Sequence, residues 1–74
     1  MNRPCTVEVR GLVSTLLPSG ARTAVPRGRY MLSERSLHEY ELRRRSGQAF
    51  ALTLNDVAHY TQGGELAVVE GRWP

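Results

Sequence analysis

Residues 40–54 read YELRRRSGQAFALTL: three adjacent arginines, a Ser-Gly-Gln break, then a run in which small and large apolar residues alternate. Two local structures compete for the region around it. As a helix, residues 33–45 would use Ser36 and Glu39 as a capping box, with the arginines at the C-terminal end and Gly47 beyond. Leu37 and Tyr40 would share a face, but position 41 is glutamate, position 44 is arginine, and Leu42 points elsewhere, so no apolar stripe forms. As a hairpin with a loop at Ser46-Gly47-Gln48, the same residues set Leu42 opposite Leu52, Tyr40 opposite Leu54 and Arg44 opposite Phe50. Tyr40, Leu42, Phe50, Leu52 and Leu54 then share one face. A loop one residue shorter would turn Glu41 toward Leu52. The pattern predicts the hairpin.

The flanking segments extend this β reading. CTVEVRGLV (5–13) alternates, with Cys5, Val7 and Val9 on one side, until Gly11 interrupts it as a bulge or bend does. Residues 14–28 carry Pro18-Ser19-Gly20, Pro26 and Gly28, which predicts a long excursion folded back on itself. RYML (29–32) is a short strand. LNDVAHYTQGG carries helix signals: Asn55 as N-cap, or Thr53 if the helix begins early, Val57 and Tyr60 on one face, and Gly63 or Gly64 as the stop. Two turns are expected. ELAVVEG (65–71) forms a last strand with Leu66 and Val68 on one face.

The layout is mainly β: five strands, a long first connection, and one short helix before the last strand. Over most of the chain it resembles an SH3-like small barrel. The acidic, tyrosine-containing first-loop signature and the late proline-tyrosine pattern of peptide-binding SH3 domains are absent, so the resemblance implies an architecture and no ligand. A strongly bent antiparallel sheet with one helix across it gives the same order of elements, and both readings stand.

Seventy-four residues make a single small domain, 1–74. A chain of this size buries only about 60% of its unfolded surface, and its core rarely supplies more than about 3–5 kcal/mol. The single cysteine, Cys5, allows no internal disulfide. Oligomerisation or docking on a larger partner is the remaining source of stability. No apolar run approaches the ~20 residues of a membrane span, and no signal-like stretch appears. A soluble, cytoplasmic protein with no membrane association is expected.

The net charge is +3, and all ten basic residues are arginine. Without lysine, a phosphate-loop lysine, a Schiff base and a lysine general base are excluded. Asp56 is the only aspartate, and His38 and His59 belong to no metal-binding pair. The hairpin register brings His38 near Asp56, where a structural pair is the default. Cys5 lies on the apolar face of the first strand, as a small core residue does. No catalytic set, cofactor or metal is expected, and the protein is not expected to be an enzyme.

The arginines remain. On the hairpin, Arg43 and Arg45 share a face with Glu39 and Glu41, while Arg44 points the other way and stacks on the edge of Phe50. The three should therefore not act as one patch. Arg22, Arg27 and Arg29 form a second basic group in and after the excursion, and folding of the excursion over the hairpin would merge the two. Tyr30, Tyr40 and Phe50 are expected to be buried, which leaves Trp73 as a plug over one barrel mouth or as a partner anchor.

The expected partner-binding residues are thus Arg22, Arg27, Arg29, Arg43, Arg45 and Trp73. The expected function is that of a non-catalytic regulatory interaction protein docking on a larger protein with an acidic surface. In profile the chain resembles the small accessory regulators that bacteria and phages direct at nucleoprotein machines such as RNA polymerase. The alternative is a nucleic-acid-binding barrel that contacts phosphates.

Overall fold

The computed structural model describes residues 4–72. The chain forms β1 (Cys5–Val9), β2 (Ser14–Leu16), β3 (Arg22–Ala24), β4 (Gly28–Ser36), β5 (Glu39–Arg43), β6 (Ala49–Thr53), α1 (Leu54–Gly63) and β7 (Leu66–Glu70). The deciding hairpin is β5–β6, and it forms two residues out of the expected register: Leu42 faces Phe50, and Tyr40 faces Leu52. The cause is the place of Gly47. Its φ of 97° makes it the left-handed residue, and in a three-residue loop that residue comes last rather than in the middle. The loop is therefore Arg45-Ser46-Gly47, closed by the Arg44 N–H donating to the Gln48 carbonyl at 2.8 Å. Because the shift is even, the expected faces survive: Tyr40, Leu42 and Leu52 are buried, and Phe50 and Leu54 pack against them.

One antiparallel sheet runs in the order β6-β5-β4-β1-β7, and β2-β3 is a separate two-stranded hairpin. The sheet does not close into a barrel, so the bent-sheet alternative is the one realised. Its two edges, β6 and β7, lie four strand spacings apart, about 19 Å. The ten residues of α1, about 15 Å long, bridge them across the core face.

β1 alternates as expected, with Cys5, Val7 and Val9 buried. The excursion turns at Pro18-Ser19-Gly20, where the Leu17 N–H donates to Ala21 O at 2.7 Å, and it adds two short strands that the sequence did not reveal. Thr15 Oγ1 donates to Ala51 O, fastening β2 to β6. β4 is longer than the RYML core and turns into β5 through Leu37-His38, with His38 at φ 70°.

Thr53 is the N-cap. The Asp56 N–H donates to Thr53 Oγ1 at 3.1 Å, and the Thr53 N–H donates to Asp56 Oδ2 at 3.2 Å. This reciprocal box starts the helix two residues earlier than Asn55 would, and Gly64 in the left-handed conformation ends it. The helix has nearly three turns rather than two. In β7, Leu66 is buried, and Val68 pairs with Val7 but stays 37% exposed because this edge has no further strand beside it. Val69 is the extra residue of a β-bulge. No helix among the described residues is long and apolar enough to cross a membrane.

A cationic groove and an acid-lined cavity on the sheet

The alternation of β4 sends Tyr30 and Leu32 inward and Arg29 and Met31 outward. Met31 pairs with Thr6 on β1 and Arg43 on β5. These residues, with Tyr30, Arg44 and Arg45, line an open groove of about 320 Å³. The three adjacent arginines therefore share one site, against the expectation that they would diverge. The reason is the register. With the loop beginning at Arg45, Arg44 stands at the strand end beside Tyr30 and folds over it. Its guanidinium carbon lies 5.2 Å from the Tyr30 ring centroid, with Nη2 3.5 Å from the Arg27 carbonyl. Arg44 was expected on Phe50; that ring instead meets Tyr30 edge-on at 6.1 Å. The Tyr30 hydroxyl donates to Pro26 O at 2.5 Å. Burial pushes this phenol above its ordinary range, and the Arg44 charge acts in the opposite direction.

Acids neutralise part of this charge. Glu41 is only 8% exposed because Arg35 and Arg43 close over it: Arg43 Nε donates to Oε1 at 2.9 Å and Arg35 Nη1 to Oε2. The Arg35 hydrogen bond, then that of Arg43, holds the carboxyl below its ordinary range against the opposing effect of burial. Glu8 takes Arg10 at 2.5 Å and reaches Arg29 at only 3.9 Å. Arg44 and Arg45 form no ion pair among the described residues, so the groove keeps a net positive field.

The other expected site residues divide. Arg22 is not part of the groove; it donates through Nη2 to Ser14 Oγ at 3.0 Å. The Ser14 N–H donates in turn to Tyr60 Oη at 3.2 Å, and the Ser14 hydrogen bonds lower the Tyr60 phenol from its ordinary range. Arg27 offers its carbonyl to Arg44 rather than its side chain to the groove. Trp73 lies outside the described residues. His38 and Asp56 make no ion pair: the Asp56 carboxylate caps α1, and the His38 carbonyl accepts from the Leu54 N–H at 2.9 Å. Cys5 is buried, which raises its thiol. Among the described residues no three His, Cys, Asp or Glu side chains are grouped as a metal ion would need.

Met31 and Thr6 were not singled out by sequence, and Arg44 was expected at the core edge rather than in the groove. The signal for the first was available, because a strand at RYML already sets Met31 on the face of Arg29. At the opposite end of β5 lies a second cavity of about 550 Å³, lined in part by Arg35, Glu39, Glu41, Ala51 and Asp56. The sheet thus carries a basic groove at one end of β5 and, at the other, a hollow that reaches round the β6 edge to Asp56 of α1. Comparison of the chain with known protein families, curated proteins and solved structures gives no match.

Proposed function

We propose that the protein is a non-catalytic interaction module that docks an acidic segment of a larger protein in the cationic groove and so regulates that partner. One observation carries the reading: Arg29, Arg43, Arg44 and Arg45 line a single open groove in which two of the four have no carboxylate partner among the described residues. Arginine suits this task, since its planar fork binds carboxylates bidentately. A protein segment fits better than nucleic acid. Met31, 46% exposed, gives the groove an adaptable apolar floor. Among the described residues its one aromatic ring, Tyr30, is buried beneath Arg44 and offers no open face on which a base could stack.

The test is fluorescence anisotropy with two labelled probes, a Glu/Asp-rich peptide bearing leucines and a short single-stranded oligonucleotide, each at low and moderate salt. The peptide is expected to bind more tightly. Arg29→Ser with Arg45→Ser should weaken it at least tenfold while leaving the circular dichroism spectrum of the fold unchanged, because both side chains are exposed. Tighter oligonucleotide binding, with a log–log salt slope of about 0.7 per phosphate contacted, would transfer the groove to nucleic acid.

A further inference from the structure

Among the described residues no other element packs on the outer side of the central strands β1 and β4, since α1 packs its buried Val57 into the core on the other side. Two rows of residues cross the centre of that outer face. One is Thr6, Met31, Arg43 and Ala49; the other is Ser33, Glu41 and Ala51. Apart from Met31 and the mutually bonded Glu41 and Arg43, these side chains are small, so a second sheet could approach to the ~10 Å of sheet packing. Along β5 and into its loop, the outward positions read Glu39, Glu41, Arg43, Arg45: two acids, then two bases. This order inverts in sign about Leu42. A half-turn about an axis beside Leu42 therefore sets the acidic end of β5 over the basic end of the second copy, with Glu39 against Arg45.

We propose that a second copy of this chain covers this face, as a two-fold dimer with the two β5 strands antiparallel. Glu39 of each copy faces Arg45 of the other, while Glu41, already closed over by Arg35 and Arg43 of its own chain, lies between these contacts. The rotation also brings Arg29 toward Arg35, and each of these has an acid on its own chain, Glu8 and Glu41 respectively. The pairing is reciprocal and closes on itself, so it yields a dimer and not a filament. The covered Met31 and alanines would join the two sheets into a sandwich, adding apolar burial that a 74-residue core lacks. The inference goes beyond the docking reading and does not depend on it. If both hold, an acidic segment and the second copy compete for Arg45.

Sedimentation equilibrium at low and high salt tests it, with Glu39→Arg, Arg45→Glu and the double exchange; Glu39 is not part of the groove, so its variant separates this inference from docking. The wild type should be dimeric at low salt and dissociate as salt rises. Each single exchange opposes like charges and should weaken association at least tenfold. The double exchange should restore the dimer, and an equimolar mixture of the two single variants should form a mixed dimer. A wild type that stays monomeric at all concentrations would overturn the proposal. So would a dimer indifferent to both exchanges, or a mixture that stays monomeric. Glu39 and Arg45 are exposed, and circular dichroism confirms that the variants fold.

Discussion

Glu41 carries the clearest conflict between pattern and environment at the residue scale. Its outward position on β5 marks it as a solvent-facing acid, yet two guanidinium groups enclose it. The sequence showed Arg43 two residues away on the same face. It did not show Arg35, which reaches Glu41 from β4 at a bulge where two β4 steps oppose one step of β5. A bulge has no reliable signature in a single sequence, so this half of the pair was illegible. Because the pair holds the folded carboxyl below its ordinary value, its stabilisation is present above the unfolded pKa of about 4.3. It disappears as pH falls through the lower folded value. Glu41→Gln is therefore expected to cost about 1–2 kcal/mol at neutral pH, discounted for the exposed arginines. In urea unfolding the gap between wild type and variant should close below pH 4. A gap unchanged in acid would mean that packing, not charge, holds Glu41.

At the scale of elements, alternation was enough to find β1 and the β5–β6 hairpin and to set their faces, because a period of two distinguishes faces without fixing partners. The partners depended on which loop position Gly47 takes, and an error of one position there moved the pairing by two. That same shift removed Arg44 from Phe50 and placed it over Tyr30, so the groove was legible only in parts: its residues, but not their convergence. Thr53 was recognisable as a cap, but only the Asp56 bond back to its N–H decides it against Asn55. Gly47 offers the cleanest test of the register. A Cβ there would meet nothing within 4 Å, so a substitution acts through φ alone. Gly47→Ala should destabilise by about 1 kcal/mol, and Gly47→Asn by clearly less, since asparagine tolerates the left-handed region. Equal losses for the two in thermal melts would place Gly47 in a different loop geometry.

For the whole molecule, the order of elements could not decide between barrel and open sheet, because closure depends on whether two edge strands meet. Here α1 lies between that question and its answer. It contacts β5, β6 and β7, yet Val57 is its only fully buried residue. The sheet's inner face, the β2–β3 hairpin and the helix therefore meet in one cluster that includes Val13, Val25, Leu52, Leu66 and Val57. With a core this thin, no subset of these elements has enough buried apolar surface to stand alone. Val57→Ala should remove about 2 kcal/mol, the lost methyl groups plus a residual cavity. That is a large share of the few kcal/mol such a core supplies. The loss should fall on the entire fold at once: far-ultraviolet circular dichroism of backbone structure and near-ultraviolet signals of the sheet tyrosines should shift to one common lower midpoint. A variant in which helical signal melts first, with the tyrosine transition left in place, would show that the sheet stands without its helix and that the core is two clusters rather than one.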